Sequence, residues 1–291
     1  MPGRRRLARA GSVGGVDAMT PRAALIGMTV EHSFSPRIFA AFAAALRRPL
    51  RYAAIPVRPD EFVELLGRAR RGRWLGWNVT APHKETAALL ADGLDPVAEA
   101  AGAVNVVRFQ AGRAMGYNTD VAGFLEPLQR REIALRGRPA VVLGAGGAAR
   151  AVCEALRRSS VAGITIINRT LAHAEPLAER FGAGAAATGT DAAASALAEA
   201  DLIVNATSAG AETPLLPPGL RLKAGSWACD LAYRPADTLF MAAARHAGAS
   251  ALGGMEMLVA QAAGTWRLWF GEPVPENVLA DVRADLRETL S

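Results

Sequence analysis

Lys84 is an unusual residue in this chain because almost every other cation is an arginine. Among 33 basic residues the protein has only two lysines, Lys84 and Lys223. Burial and neighbouring charges can tune a lysine ammonium to exchange its proton, whereas a guanidinium stays protonated. Lys84 also ends a polar run, residues 76-84, that contains an amide and a hydroxyl, Asn78 and Thr80. This run is typical either of an acid–base site or of a solvated lysine at a helix start.

A pair of serines forms a second candidate site near the beginning of the chain. Ser33 and Ser35 follow the apolar residues 24-27 and precede Pro36, a residue favoured in the first turn of a helix. We expect Ser35 to be the N-cap of that helix. Two hydroxyls at a helix N-terminus suit an anion, here a carboxylate, although both serines could also act as caps alone.

The elements around these residues alternate between short apolar runs and amphipathic stretches. This alternation predicts βα units and a mostly parallel sheet, and hence an α/β fold. We expect a helix over 84-91 and paired strands over 102-107, which contains Asn105, and 114-117. Asp120 follows at the start of the next helix, where the helix dipole favours an acid whatever its chemical role.

A glycine-rich turn begins the second half of the chain. The apolar run 140-143 leads into a helix through the small residues Gly144, Ala145, Gly146, Gly147 and Ala148. Together with Ala149, the glycines match the Gly-x-Gly-x-x-Ala pattern of a Rossmann dinucleotide-binding turn, in which the backbone approaches a pyrophosphate closely. The position between a buried strand and a helix strengthens this interpretation.

The end of the following strand indicates which dinucleotide is bound. Where an NAD site usually offers Asp or Glu, the chain has Asn168, Arg169 and Thr170. A carboxylate would repel a 2′-phosphate, whereas an arginine neutralises and holds it. We therefore expect the cofactor to be NADP(H).

Small and polar residues also follow a later strand. Thr207 and Ser208 lie where a dinucleotide would cross the strand ends. The Ala/Gly-rich residues 183-189 are expected to form a loop. Helices are expected from about residue 235 and over 254-270.

Composition and charge argue against several classes of function. The net charge is +6, but arginines alternate with acids along most of the chain, so we expect no nucleic-acid partner. No apolar stretch reaches the length of about 18 residues that spans a membrane. Cys153 and Cys229 match no disulfide or metal spacing, which favours a cytoplasmic protein without a metal site. The arginine-rich residues 1-20 are expected to be a disordered extension or a mis-assigned start.

These segments together resemble the shikimate dehydrogenase family from Ala23 to about Gly271. The matching motifs are Ser-x-Ser-Pro at 33-36, Asn-Val-Thr-x-Pro-x-Lys at 78-84, Gly-Ala-Val-Asn at 102-105, Asn-Thr-Asp at 118-120, the glycine-rich turn at 144-149, Asn-Arg-Thr at 168-170, Asn-Ala-Thr-Ser at 205-208, Tyr233, and Met-Leu-Val-Ala-Gln-Ala at 257-262.

The resemblance implies an N-terminal substrate domain, residues 21-120, that is completed by residues 255-291. Residues 121-254 would form a Rossmann domain that binds NADP. The implied reaction is the reversible, NADP-dependent reduction of 3-dehydroshikimate to shikimate, with Lys84 and Asp120 as an acid–base pair. The residues implied to bind substrate are Ser33, Ser35, Asn78, Thr80, Asn105, Tyr233 and Gln261. The residues implied to contact the cofactor are Gly144, Ala145, Gly146, Gly147, Ala148, Asn168, Arg169, Thr170, Thr207, Ser208, Gly254 and Met257.

Several positions depart from the family pattern and leave alternatives open. The departures are at residues 27-29, at Phe39 and Ala40 in place of a polar pair, at Val106, and at His173 in place of a second basic residue. One alternative is a quinate/shikimate dehydrogenase-like paralogue that uses NAD or both cofactors on a related cyclic hydroxy acid. An enzyme like methylenetetrahydrofolate dehydrogenase would leave the serine turn without a role, and a non-catalytic NADP-binding regulatory protein would be expected to lack the Lys84 and Asp120 pair. A monomer and a homodimer both remain open.

Overall fold

The described part of the chain forms two six-stranded sheets, one in each half of the sequence. The structure is a computed structural model that describes residues 20-290. Of the predicted N-terminal extension, residues 1-20, only Thr20 lies within that range. The two sheets and the helices around them confirm the predicted α/β fold class.

The first sheet is mixed. Its strands are β1 (Arg22–Gly27), β2 (Arg51–Pro56), β3 (Trp74–Val79), β4 (Gly93–Leu94), β5 (Val106–Gln110) and β6 (Arg113–Tyr117). They lie in the order β2-β1-β3-β5-β6-β4. β1 pairs in parallel with β2 and β3, whereas β5 pairs antiparallel with β3 and β6. The helices of this half are α1 (Ser35–Ala45), α2 (Pro59–Arg70), α3 (Lys84–Leu90) and α4 (Pro96–Ala101). A further helix, α5 (Asp120–Arg130), leads towards the second sheet.

The second sheet is parallel throughout. Its strands are β7 (Pro139–Leu143), β8 (Gly163–Asn168), β9 (Gly184–Ala187), β10 (Leu202–Asn205), β11 (Trp227–Asp230) and β12 (Ser250–Leu252). The order is β12-β11-β10-β7-β8-β9. The helices of this half are α6 (Gly147–Arg158), α7 (Leu171–Phe181), α8 (Asp191–Glu199) and α9 (Leu239–His246). This order and the strand–glycine turn–helix unit at β7 and α6 are those of a Rossmann fold.

Two C-terminal helices, α10 (Met255–Phe270) and α11 (Glu276–Leu290), return to the first sheet. Phe42 of α1 packs edge-on against Trp266 with ring centroids 5.9 Å apart, and Phe39 lies 5.3 Å from Trp269. All four rings are buried. Burying each large side chain contributes about 1.5–3 kcal/mol, so α10 is part of the core of the first half.

Helices α5 and α10 approach each other closely at a glycine. A Cβ atom built on Gly123 would lie 2.8 Å from the Cβ atom of Gln261. Only a residue without a side chain allows this approach, which brings the start of α5 next to the middle of α10. The first turn of α5, which begins at Asp120, therefore lies beside Gln261.

The structure corrects four details of the predicted elements. Residues 102-105 are not a strand, because Gly102 ends α4 in the left-handed conformation at φ +65°. Residues 184-187, within the predicted loop, form the edge strand β9. The helix expected from about residue 235 begins at Leu239, after Thr238, whose side chain accepts a hydrogen bond from the backbone of Met241. The short strands β4 and β12 were not predicted.

Candidate active site

The predicted substrate residues surround one cavity between the two halves of the molecule. Its volume is about 240 Å³, and its lining follows β1, β3 and β11 and includes part of α10. The cavity is lined by all nine residues predicted to be catalytic or to bind substrate, namely Ser33, Ser35, Asn78, Thr80, Lys84, Asn105, Asp120, Tyr233 and Gln261. These side chains come from six separate segments of the sequence.

Lys84 and Asp120 form an ion pair at this cavity. The Nζ atom of Lys84 lies 2.6 Å from Oδ2 of Asp120, and the two side chains are only 13% and 7% exposed. Each residue begins a helix, α3 and α5 respectively. A shielded ammonium held by a carboxylate can donate a proton to a ligand oxygen and take it back.

Asn105 holds the other oxygen of the Asp120 carboxylate. Its Nδ2 atom donates to Oδ1 of Asp120 over 2.7 Å and to Oγ1 of Thr119 over 2.9 Å. Its Oδ1 atom accepts from the backbone N–H of Thr119 over 2.7 Å. Since both N–H groups of Asn105 are engaged within the protein, the main effect of this side chain is to orient Asp120.

The serine pair lies at the start of α1. Oγ of Ser33 accepts the backbone N–H of Ser35, and the two hydroxyl oxygens are 3.2 Å apart. The prediction that Ser35 is the N-cap is wrong, because Ser35 is the first helical residue and α1 has no side-chain cap. The hydroxyl of Ser33, two residues earlier in the loop, takes a backbone N–H of this helix start instead. Both hydroxyls line the cavity beside the helix N-terminus, an arrangement that suits an anion.

Asn78 and Gln261 present amides to the same cavity. Asn78 accepts from the hydroxyl of Tyr52 over 2.8 Å and donates to Thr265 over 3.1 Å. Nε2 of Gln261 donates to the backbone carbonyl of Leu258 over 2.8 Å. Each amide keeps hydrogen-bonding capacity for a polar ligand.

The loop that carries Tyr233 is held by a buried acid. Asp230 accepts from Nδ2 of Asn205 over 2.9 Å and from the hydroxyl of Thr238 over 2.7 Å. Burial raises the pKa of Asp230, and these hydrogen bonds oppose that rise. Asn205 also accepts from Thr207 over 2.7 Å. The ends of β10 and β11 are thereby fixed relative to each other.

A second cavity of about 380 Å³ adjoins the first. It is lined by the predicted cofactor residues Ala148, Thr207 and Ser208 and shares Ser33 and Tyr233 with the first cavity. Two further predicted cofactor residues, Gly254 and Met257 at the start of α10, line the first cavity itself.

The glycine-rich turn fits the pyrophosphate of a dinucleotide. Gly144 has φ +103°, which favours glycine, and a Cβ atom on Gly146 would meet nothing within 4 Å. Helix α6 begins without a side-chain cap and without an acid in its first turn. Its first N–H groups can therefore bind an anion that approaches over Gly146. Gly147 packs instead on Lys84, and Ala145 is half-buried.

The triplet 168-170 lies beside this turn but lines neither cavity. The backbone N–H of Gly144 donates to Ile167 at the end of β8, which places the triplet next to the glycines. Asn168 donates to the backbone carbonyl of Thr170 over 2.8 Å, and Arg169 and Thr170 are exposed. An exposed guanidinium without a neighbouring acid in the triplet fits a phosphate at the far end of the cofactor.

Three polar residues behind the site were not predicted. Tyr52, Thr119 and Thr265 form hydrogen bonds to the cavity amides, and the hydroxyls of Thr119 and Thr265 also lie 3.3 Å from each other. A lone threonine within the apolar run of α10 was the available signal for Thr265. An ion pair between Arg150 of α6 and Glu85 of α3, 2.8 Å long, was also not predicted and joins the two halves beside Lys84.

The described residues contain neither a cluster of possible metal ligands nor a helix that could span a membrane. Within residues 20-290 no group of three or more His, Cys, Asp or Glu side chains could hold a metal ion. No helix in that range is long and apolar enough to span a membrane.

Two models of one protein family match this chain. Residues 25–107 match the shikimate dehydrogenase substrate binding domain, and residues 128–219 match shikimate / quinate 5-dehydrogenase. A shikimate dehydrogenase (NADP(+)) of Symbiobacterium thermophilum is 42% identical over 88% of this chain and 90% of its own length. One of Moorella thermoacetica is 39% identical over 94% and 95%.

A solved structure shows the same fold. Shikimate 5-dehydrogenase from Thermus thermophilus, in complex with NADP(H) and shikimate, superposes with a TM-score of 0.81 and 37% identity. The match covers 92% of this chain and all of the other. The chain therefore belongs to the shikimate dehydrogenase family.

Proposed function

We propose that this protein catalyses the reversible, NADP-dependent reduction of 3-dehydroshikimate to shikimate. The observation that carries the proposal is the shielded ion pair of Lys84 and Asp120 in a cavity that adjoins the glycine-rich turn. The names of the relatives support the same reaction. An intact pair also argues against a non-catalytic regulatory role.

One group of cavity residues binds the carboxylate of a cyclic hydroxy acid, and another group binds its ring hydroxyls. Ser33 and Ser35, at the N-terminus of α1, bind the carboxylate through their hydroxyls. Asn78, Thr80 and Gln261 bind the ring hydroxyls, and Tyr233 closes the side shared with the second cavity. Asn105 lines the cavity too, but it acts on substrate mainly through Asp120.

Lys84 moves the proton. In the reducing direction its ammonium donates a proton to the substrate oxygen as the ketone becomes an alcohol, and in the oxidising direction the neutral amine accepts that proton. Asp120 holds the ammonium at the cavity through their ion pair, and Asn105 keeps Asp120 in place. The nicotinamide ring, when bound, supplies or accepts the hydride.

The residues proposed to bind NADP(H) are Gly144, Ala145, Gly146, Gly147, Ala148, Asn168, Arg169, Thr170, Thr207, Ser208, Gly254 and Met257. The open space over Gly146 and the uncapped start of α6 support the position of the pyrophosphate. Arg169 supports the preference for a 2′-phosphate.

We also propose the domain division expected from the sequence. Residues 21-120 and 255-291 form the substrate domain, and residues 121-254 form the NADP-binding domain. The separate sheets, and the packing of α10 on the first of them, support this division. The protein is proposed to be a monomer or homodimer without a nucleic-acid or membrane partner. A cytoplasmic location is proposed because its two free cysteines, Cys153 and Cys229, suit a reducing compartment.

One assay tests the function. Reduction of NADP⁺ and of NAD⁺ is measured with shikimate and with quinate, on the wild-type protein and on Lys84→Ala. We expect activity with shikimate and NADP⁺, and a kcat lowered by about 10²–10⁴-fold in Lys84→Ala with a smaller change in shikimate affinity. Lys223→Ala is the matched control, because the only other lysine pairs with Asp201 at the surface.

The outcomes separate the candidate functions. Preference for quinate or for NAD⁺ would favour the quinate/shikimate paralogue. Activity on neither acid would refute the proposed substrate class, and wild-type turnover in Lys84→Ala would refute the acid–base role of the lysine.

A further inference from the structure

The hydroxyl of Thr265 lies where two hydrogen-bonded chains beneath the substrate cavity meet. Thr265 is fully buried in α10. Its oxygen lies 3.0 Å from the backbone carbonyl of Gln261, 3.1 Å from Nδ2 of Asn78 and 3.3 Å from Oγ1 of Thr119. A carbonyl only accepts, so the single hydrogen of Thr265 points to Gln261. The hydroxyl oxygen therefore accepts from Asn78 and is also an acceptor within reach of the Thr119 hydroxyl.

The first chain runs from Thr265 through Asn78 to Tyr52. Because Nδ2 of Asn78 faces Thr265, its Oδ1 faces Tyr52, whose hydroxyl donates over 2.8 Å. Burial raises the pKa of Tyr52 well above its ordinary value, with a hydrogen bond to Ser35 opposing the rise, so the hydroxyl keeps its hydrogen. The ring of Tyr52 stacks on Phe39 at 4.3 Å. The amide of Asn78 thus has one orientation, which leaves its second N–H for the cavity.

The second chain runs from Thr265 through Thr119 and Asn105 to Asp120. The carboxylate of Asp120 only accepts, and the backbone N–H of Thr119 only donates, so the orientation of the Asn105 amide is determined at both ends. Oγ1 of Thr119 accepts from Asn105, and its own hydrogen has two acceptors within 3.3 Å, Oδ1 of Asn105 and Oγ1 of Thr265. Lys84 is the last residue of this hydrogen-bonded series, which it joins through its ion pair with Asp120.

We infer that Thr265 is a positioning residue whose hydroxyl sets the direction of the Asn78 amide towards substrate and links that amide to the Lys84 and Asp120 pair. No ligand contact of its own is required, since Thr265 does not line the cavity. Valine at this position has nearly the same shape but no hydroxyl. It would leave an N–H of Asn78 and the hydroxyl of Thr119 buried without that acceptor. The inference rests on the proposed function, because substrate turnover is its readout.

A kinetic double-mutant cycle of Thr265→Val and Asn78→Ala tests this inference. The measurement is kcat/KM for shikimate at saturating NADP⁺. Loss of the hydroxyl that accepts from Asn78 should lower kcat/KM by about tenfold in Thr265→Val, with the larger change in KM. In the Asn78→Ala background the same substitution should change kcat/KM by less than about twofold, because its main target is gone.

Three comparisons distinguish positioning from a general loss of structure. Thr265→Ser keeps the hydroxyl and should stay within about twofold of wild type. Ser226→Ala removes another fully buried hydroxyl, one without a hydrogen-bond partner in the described structure, and should leave kcat/KM unchanged. The KM for NADP⁺ should not change in Thr265→Val.

Each contrary result has a defined meaning. Additive effects in the cycle, an equal loss in Thr265→Ser, or a parallel rise in the KM for NADP⁺ would overturn the inference while the proposed function stands. A wild-type protein that is inactive on shikimate would overturn the proposed function first, and the inference with it.

Discussion

Gly147 and Lys84 are packed against each other so closely that the glycine-rich turn and the start of α3 form one surface. A Cβ atom at position 147 would lie 2.7 Å from Cβ and 3.1 Å from Cδ of Lys84. The first of these atoms is held by the backbone of α3 and has no freedom to move aside. The start of α6, proposed to bind pyrophosphate, thereby supports the stem of the lysine.

Gly147→Ala should therefore impair catalysis by displacing Lys84. We expect kcat to fall by about tenfold or more, since a displacement near 1 Å at a reacting group can cost two orders of magnitude. Gly146→Ala is the matched comparison, because its new methyl group would enter open space in the protein and crowd only a bound pyrophosphate. It should raise the KM for NADP⁺ with a smaller effect on kcat. Steady-state kinetics of both variants check the contrast, and an unchanged kcat in Gly147→Ala would contradict it.

Arg169→Ala should weaken the binding of NADP⁺ and leave the binding of NAD⁺ nearly unchanged. Loss of a charged hydrogen bond to the 2′-phosphate is expected to raise the KM for NADP⁺ by about 10- to 100-fold. The KM for NAD⁺, which has no such phosphate, should stay within about twofold. Arg136→Ala, an exposed arginine in the connection before β7, is the control for net charge. An equal rise in the KM for both cofactors would show that Arg169 does not bind the 2′-phosphate.

The stabilisation that the Glu256 carboxylate gives to the folded protein should be lost in acid. The carboxylate lies 2.6 Å from both Arg131 and Arg130, and these neighbours, Arg131 above all, lower its pKa from 4.5 to about 2. Because the folded-state pKa is depressed, the stabilisation is complete above about pH 4.5 and is lost as the pH falls towards 2. A shift of this size corresponds to on the order of 3 kcal/mol.

Glu256→Gln tests this linkage by urea unfolding at several pH values. The variant should be less stable than wild type at pH 7, and the difference should shrink as the pH falls below about 4.5. A difference that is the same at pH 7 and at about pH 3 would show that the carboxylate charge is not responsible.

Gly67→Ala should stabilise the protein. Gly67 lies inside α2, and a Cβ atom there would meet nothing within 4 Å. Alanine favours a helix interior by up to about 1 kcal/mol over glycine. The midpoint of urea unfolding should rise while kcat and KM stay at wild-type values. A lower midpoint would mean that this turn of α2 is not a regular helix in solution.

The residues that follow strands were the predictable part of the site. Lys84, Asp120 and the glycine turn each follow an apolar run, and the general rule for α/β folds places such positions at the carboxyl ends of the strands of a sheet. Lys84 and Asp120 follow strands of the first sheet and the glycine turn follows a strand of the second, so the βα pattern accounts for the edge that each occupies and not for the approach of the two edges. The helices expected over 84-91 and 254-270 were predicted on the same basis, and they correspond to α3 and α10.

The supporting residues could not be predicted because they depend on contacts between distant segments. Asn78 and Thr265 are 187 positions apart, and no local pattern relates them. The strand β9 escaped prediction for another reason. Its residues, Gly-Ala-Ala-Ala, have low strand propensity, and only pairing with β8 makes them a strand.

The return of α10 to the first sheet has a consequence for synthesis on the ribosome. Phe39 and Phe42 leave the exit tunnel more than 200 residues before Trp266 and Trp269, the rings that cover them. The strands of the second sheet, by contrast, follow one another in the sequence, so this parallel sheet can form while the chain is still growing. The nascent protein therefore carries an uncovered aromatic surface through most of translation, the kind of surface that chaperones bind.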